Sequence, residues 1–545
     1  MQFLGDRDEG TQSAQVHIHN LKIVDPAEIG VLPHAQHAAT MGHPRAKGRA
    51  MTFTTTVGPS PDQGGPPGDA DAIAELRAAF AAQKAAVLRD PAPGIDQRRQ
   101  NLRTLAGVIT GYRHRIRDAL SADFAVHPAG FADLVEILGV AGRAAFAAEQ
   151  LEAWMAPEPR LPAPGLLGTA QVDMTYQPKG VIGLISPWNF PFDLSLGPLA
   201  DMLAAGNRVI IKPSEYTPAC SALLREMMAE VFEPEQVTVV TDGLELAREF
   251  PTLAWDHLLY TGNPEVGRLV ARAAAENLVP TTLELGGKCP AIVHEDSVTA
   301  DTVAQIIGTK LVKNGQMCIT VDYCLVSRTA LAQFTELIKA HMQEHVPGFA
   351  SSPDCTGIIT ERHLNRLVGL VDEARARGVD VVQVDDFDQN TATRQMPLTL
   401  VIDPPDDLAL MREEIFGPIL PIKPYDTVED AVSYVNRGER PLGLYVFAQD
   451  SDAAERVLAT TVSGGACVNT CAVQGAVPAL GFGGIGRSGH GRHHGVDGFR
   501  EFSNPRGIVR RGQDDLIDVM FPPYGDVLNG VVASALGAAG EGDAT

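Results

Sequence analysis

Cys318 lies in LVKNGQMCIT, directly behind Asn314, Gly315 and Gln316, where glycine-broken backbone follows what reads as a helix. A structural cysteine belongs inside an apolar face; a thiol at a turn is presented, and a presented thiol is a candidate nucleophile. Two other residues have side chains suited to serve it. Asn189 sits between Pro187 and Pro191 in SPWNFPF, a rigid corner from which a short amide can donate to a developing oxyanion. The alternative for Asn189 is an amide satisfying turn backbone. Glu284, in the apolar run LELGGK, has a setting that raises a carboxyl pKa and makes it a base near neutral pH. Its alternative is a paired structural glutamate.

A second set suits a nucleotide. Lys212, Ser214 and Glu215 in IKPSE offer donors and a carboxylate at a strand's end, where the carboxylate can accept ribose hydroxyls. Taken alone, such a loop is usually a solvated face or a helix cap. YTGNPEVGRLV places Gly262, Asn263 and Gly267 between a strand and a helix; it is not GxGxxG, yet the glycine and the helix N-terminus suit a pyrophosphate. Glu414 and Phe416 precede a Gly-Pro turn in MREEIFGPIL. The glycine-dense GFGGIGRSGHGRHHG, Gly481 to Gly495, is either a linker or backbone that wraps a site closely.

The elements that must position these loops alternate. GVIGLI, NRVIIK, VTVVT and HLLYTG are short β-branched apolar runs, separated by the helical LSLGPLADMLAAG, PACSALLREMMAEVF and PEVGRLVARAAAEN. Continuous apolar strands alternating with helices predict a parallel sheet buried on both faces, with ligands at the strands' carboxyl ends. From Asp69 to about Met155 the periodicity is helical. A second alternating block runs from about Gly287 to Gly465, with Cys318 at the end of its first helix and DYCLVS as a strand.

Composition bounds the rest. The chain has 545 residues, 45% hydrophobic and 20% charged, with a net charge of −23. That length supports several domains without metal or disulfide staples, and the acidity argues against nucleic acid or anionic membrane as partner. Seven cysteines without a CxxC indicate neither a disulfide framework nor a zinc knuckle and suit a reducing, cytoplasmic setting. No signal peptide or membrane span is read; VLNGVVASALGAAG is too short and too glycine-rich to cross a bilayer. Residues 1–68 read as a disordered extension, with Met51 an alternative start. Within it His17, His19, His34, His37 and His43 are candidate metal ligands or part of a solvated tail, and the tail is favoured because no acid or cysteine joins them at fixed spacing.

PWNFP, KPSE, TGNPEVG, LELGGK, GQMC and EEIFGP, in this order from about Ala70 to Arg506, resemble the NAD(P)-dependent aldehyde dehydrogenase superfamily. GHGRHHGVDGFREFS and FPPYG are similar to its class 3, coniferyl aldehyde dehydrogenase-like branch. The resemblance implies an α/β aldehyde dehydrogenase fold: a Rossmann-type NAD(P)-binding domain over 69–286 with a β oligomerisation flap near 163–178, an α/β catalytic domain over 287–480, and a closing segment over 481–545. It implies Cys318 as nucleophile, Asn189 as oxyanion donor and Glu284 as general base. It places the cofactor against Trp188, Lys212, Ser214, Glu215, Gly262, Asn263, Gly267, Leu285, Glu414 and Phe416. Glu215 favours NAD, with NADP the alternative, no metal is implied, and a homodimer is expected. The substrate implied is a hydrophobic, aromatic or medium-chain aldehyde, oxidised to the acid.

Departures from the branch's wording occur at Asn263, Met317, Cys324, Thr470, Gln474 and Gly481. The last three fall in a segment expected to shape the substrate entrance. Cys324 reads as strand packing rather than a partner thiol for Cys318. Two alternatives stand beside hydrolytic oxidation: CoA-acylating chemistry, which Glu284 opposes, and a catalytically retired binding member, which the joint presence of Cys318, Glu284 and Asn189 opposes.

Overall fold

The computed structural model describes residues 68–161, 167–241, 243–385, 387 and 392–540. The expected N-terminal extension, its five histidines and Met51 therefore lie outside the described residues, as do part of the flap segment near 163–178 and the last five residues.

Four helices, Gly68–Arg89, Ile95–Gly111, Arg113–Phe124 and Val140–Met155, open the described chain, as the periodicity predicts. A π-helical stretch, Ala132–Gly139, leads into the last of them. Two strands follow, β1 (Glu158–Pro159) and β2 (Gln171–Pro178), paired antiparallel. The alternating block then gives β3 (Val181–Ile185), β4 (Arg208–Lys212), β5 (Val237–Val239), β6 (His257–Gly262) and β7 (Thr281–Leu285). These five run parallel in the spatial order β7-β6-β3-β4-β5.

Their side chains alternate between two cores. Ile182, Leu184, Val209, Ile211 and Leu259 enter one, and Val181, Ile185, Ile210, Leu258 and Tyr260 the other. A sheet whose two faces are both covered needs apolar residues at every position, which is why these strands read as unbroken apolar runs. The register brings the candidate loops together at one end: Ile185 is opposite both Lys212 and Tyr260, and Thr261 is opposite Glu284.

The second sheet holds β8 (Pro290–Val293), β9 (Tyr323–Ser327), β10 (Asp380–Gln383), β11 (Thr399–Ile402), β12 (Ile419–Tyr425), β13 (Gly443–Phe447) and β14 (Gly465–Val468). Its order is β10-β11-β12-β9-β8-β13-β14, parallel except for β10. It too divides its side chains between two cores, with Ala291, Val293, Cys324 and Val326 on one face and Ile292, Tyr323 and Leu325 on the other. Cys324 is thus a packed strand residue.

Two late strands return to earlier sheets. β15 (Gly489–His490) pairs antiparallel with β7, setting Gly489 opposite Glu284. β16 (Ser503–Arg510) pairs along the whole of β2. β1, β2 and β16 therefore form a three-stranded sheet, built from two distant parts of the chain, to which the described part of the expected flap segment contributes β2. A two-stranded ribbon is marginal in water, and the third strand supplies what local sequence does not reveal.

One expectation is corrected. The helix before the nucleophile segment, Ala300–Leu311, stops at Leu311 and does not carry Cys318 at its end. Lys313, Asn314 and Gly315 follow with φ of 50°, 53° and 76°. Successive left-handed residues cannot continue a right-handed helix. Among the described residues, no helix is long and apolar enough to cross a membrane.

Candidate active site

The strand ends of the first sheet and the facing loops of the second enclose a cleft of about 1540 Å³. Trp188, Asn189, Lys212, Ser214, Glu215, Gly262, Asn263, Glu284, Leu285, Cys318, Glu414 and Phe416 all line it. Gly267 does not. It sits one turn inside the helix Pro264–Ala275, where a Cβ would stand 2.7 Å from Leu285 Cδ2, so it lets that helix pack on β7.

Around the thiol the segment is braced by side-chain amides. Asn189 Nδ2 donates to the Gln316 carbonyl at 3.2 Å. Gln316 Nε2 donates to the Lys313 carbonyl at 2.9 Å and the Gly357 carbonyl at 3.1 Å, while its Oε1 accepts the Ile359 amide at 3.0 Å. The Cys289 thiol donates to the Cys318 carbonyl at 3.4 Å. Burial pushes the Cys318 thiol well above its usual range, and the nearby Glu414 and Glu284 carboxyls add to the rise. The resting group is a thiol, and a base must take its proton before it can attack.

Glu284 is 2% exposed, and neither carboxylate oxygen has a hydrogen-bond partner among the described residues. Burial holds its pKa well above the usual carboxylate range, and the charge of the Arg492 guanidinium opposes that rise. Arg492 comes close because Gly483 has no side chain: the position a Cβ would take there is 2.9 Å from Glu284 Oε1 and 2.8 Å from Arg492 Cγ.

Lys212 Nζ donates to Glu215 Oε2 at 3.1 Å and to the Pro213 carbonyl at 3.1 Å. Asn263 caps its helix, with its side-chain oxygen accepting the Val266 amide at 2.8 Å. Gly262 has the Tyr260 hydroxyl where a side chain would stand, and Gly286 has the Glu414 carboxylate there. Burial pushes Glu414 up to about 8, with Asp322 adding to it. Phe416 holds a φ of 52°, a strained conformation for an aromatic residue and one that clusters at functional sites. Its ring meets Trp188 edge-on at 5.2 Å, and His363 stands between Trp188 (5.3 Å) and Tyr216 (5.6 Å). Bare backbone at the turn, a carboxylate beside a lysine and a ladder of rings fit a dinucleotide.

Several cleft residues carry no signal in the local sequence. His493 is visible only as a member of a glycine-rich run, and His363 and Arg366 reach the cleft from the helix Glu361–Ala376 of the second sheet's layer. Conversely, Thr470, Gln474 and Gly481 do not line the cleft. Thr470 bonds Gln305 at 2.9 Å, Gln474 accepts from the Cys467 thiol at 2.8 Å, and Gly481 abuts Asp497. From that segment Phe482 lines the cleft, while the three altered positions do not.

Comparison with known proteins agrees with this geometry. The sequence model described as the aldehyde dehydrogenase family matches residues 67–508. The chain is 41% identical over 461 residues to a probable coniferyl aldehyde dehydrogenase of Caulobacter vibrioides, covering 83% of this chain and 95% of that one. It is 36% identical over 468 residues to the coniferyl aldehyde dehydrogenase of Pseudomonas sp. strain HR199, covering 85% and 96%. Among solved structures, the substrate-bound state of Staphylococcus aureus AldH superposes with a TM-score of 0.79 at 31% identity, covering 84% of this chain and 99% of that chain. PnpE in complex with nicotinamide adenine dinucleotide superposes with a TM-score of 0.73 at 25% identity, covering 81% and 90%.

Proposed function

Because the chain belongs to the aldehyde dehydrogenase family, an NAD(P)-dependent family of oxidoreductases that convert aldehydes to acids, we propose that Cys318, Asn189 and Glu284 perform that oxidation here. The observation that carries the reading is their convergence, from two separate loops and the end of β7, on one cleft. Glu284 takes the Cys318 thiol proton and passes it to solvent; the thiolate attacks the aldehyde carbon to form a carbon–sulfur bond, and the carbonyl oxygen becomes an oxyanion. Asn189 Nδ2 and the Cys318 backbone N–H hold that charge. Bound in the cleft, NAD(P) supplies the two-electron acceptor. Glu284 then takes a proton from the water that attacks the resulting thioester; the carbon–sulfur bond breaks, releasing the acid and restoring Cys318.

Lys212, Ser214 and Glu215 would hold the adenosine ribose, Gly262 and Asn263 the pyrophosphate turn, and Leu285, Glu414, Phe416 and Trp188 the nicotinamide end. Gly267 serves by letting its helix close on β7. The Glu215 carboxylate repels a ribose 2′-phosphate, which supports NAD over NADP. An apolar aldehyde of the coniferyl type is the substrate class that the named relatives support, and Leu194 and Phe482 give the cleft an apolar wall. The division into a cofactor layer (69–286), a catalytic layer (287–480) and a closing segment (481–545) follows the two sheets and the return of β15 and β16.

A homodimer covers surface that one chain leaves bare. The stretch Thr460–Gly486 contains no charged residue, and Val468, Val473, Val477 and Leu480 within it are exposed. Light scattering on the eluted protein tests this, and a monomeric mass overturns it. The functional test follows NADH formation from a panel of aromatic and alkyl aldehydes with native protein and Cys318→Ala. Turnover that vanishes in the variant supports the reading, and equal turnover in both removes it.

A further inference from the structure

The π-helical stretch Ala132–Gly139 buries Glu136 completely. Its Oε2 accepts two backbone amides, Phe192 at 3.1 Å and Asp193 at 2.9 Å, which lie immediately after the loop that carries Asn189. Its Oε1 faces Lys313 Nζ at 3.4 Å. Lys313 belongs to the segment that carries Cys318. Its ammonium lies 4.2 Å from the centroid of Phe124 and 5.0 Å from that of Phe190, the neighbour of Asn189. One buried ion pair therefore touches both loops that would form the oxyanion pocket, while neither of its members lines the cleft.

We propose that Glu136 and Lys313 are a positioning pair that sets the separation of the Asn189 amide from Cys318. The inference rests on the reading of those two residues given above. Neither group meets substrate or cofactor; each acts through the loop it holds. A buried ion pair is a poor device for stability, since well-packed apolar residues of the same volume do as well or better. What an ion pair supplies that apolar contact does not is a defined distance and direction, because the carboxylate must meet the ammonium and two amides at once. Lys313 also holds a left-handed φ of 50°, a conformation that persists in a residue with a β-carbon only when its surroundings over-determine it. The Glu136 carboxylate, two aromatic faces and the Gln316 side-chain amide bonded to the Lys313 carbonyl are those surroundings.

The test is a cycle of Glu136→Gln, Lys313→Met and the double variant in full-length protein. Melting temperature, NAD dissociation constant, kcat and the first-turnover burst of NADH are each measured. Lys313→Met alone strands a carboxylate in the core and melts early. The double variant leaves no unpaired charge and recovers the melting temperature. If the pair positions the pocket, that restored double variant still loses about 10²-fold in kcat and in the burst rate, the scale of a misplaced reacting group. Its NAD dissociation constant stays within about twofold of native. Recovery of kcat together with melting temperature overturns the proposal and leaves a purely structural pair. A parallel loss of NAD binding and kcat overturns it as well, because the change then reaches beyond the pocket. A native protein that oxidises none of the aldehydes overturns the catalytic reading itself, an outcome visible before any variant is made.

Discussion

Asn189 Nδ2 donates to the Gln316 carbonyl at 3.2 Å, so the candidate oxyanion donor is tied to the backbone two residues before Cys318. An amide nitrogen carries two protons. One is committed to Gln316 and fixes the side chain; the other is left for the charge that develops at the aldehyde oxygen. The donor is thus oriented before substrate arrives, and a preorganised donor loses nothing to reorientation during the reaction.

Replacing it separates that role from binding. Asn189→Ala is expected to lower kcat by about 10²- to 10³-fold, the cost of one oxyanion donor. NAD affinity is expected to stay near native, because the residues assigned to the adenosine ribose and the pyrophosphate lie on other loops and Trp188 is left in place. Steady-state kinetics with a parallel fluorescence titration of NAD checks both halves; an unchanged kcat would remove Asn189 from the chemistry.

Glu284 and Arg492 set a pH dependence. A carboxyl raised by burial stays protonated to higher pH, and only its deprotonated form accepts a proton from water, so hydrolysis of the thioester speeds up as pH rises. Arg492 opposes the rise. Arg492→Met is therefore expected to move the acidic limb of the kcat profile to higher pH by about one unit, the low end of what a neighbouring opposite charge does. Glu284→Gln is expected to keep the NADH burst and lose steady-state turnover. A limb that stays in place in Arg492→Met would detach the guanidinium from the base.

Much of this site could be read from residues alone, for a physical reason. Parallel strands buried on both faces must be apolar throughout, so β3, β4, β6 and β7 mark their own ends, and Asn189, Lys212, Gly262 and Glu284 stand at or beside them. What was illegible depends on long-range contact. Nothing near Glu136 announces that it will meet Lys313, and nothing in the 481–495 run says that Arg492 will flank Glu284 across Gly483. The end of the helix before Cys318 was hidden too. Lys313 has an ordinary helix-compatible side chain, and tertiary contacts impose its left-handed backbone.

Cofactor choice follows from Glu215. Its carboxylate is held by Lys212 at 3.1 Å and lines the nucleotide end of the cleft, where a ribose 2′-phosphate would meet like charge. Glu215→Gln removes the repulsion and frees Lys212 to face an anion. The ratio of kcat/KM for NADP to that for NAD is expected to rise about tenfold, equivalent to about 1.4 kcal/mol. A ratio that does not move would show that another group makes the choice.

Asp201 gives a stability signature independent of turnover. It is buried beside Arg143, its Oδ2 accepts the His494 amide at 2.8 Å, and burial pushes its pKa up to about 7. In the unfolded chain the same carboxyl titrates near ~3.9. The folded state therefore holds the proton more tightly than the unfolded one. That contribution is fully present below about pH 4 and is lost as pH rises through about 7, for a total on the order of 4 kcal/mol. Asp201→Asn keeps an oxygen to accept the His494 amide and has no proton to lose. Its melting temperature is expected to vary less than that of native protein between about pH 5 and 8, with the two curves furthest apart at the alkaline end. Thermal melts across that range decide it. Parallel curves would mean that Asp201 is ionised throughout, with Arg143 outweighing burial.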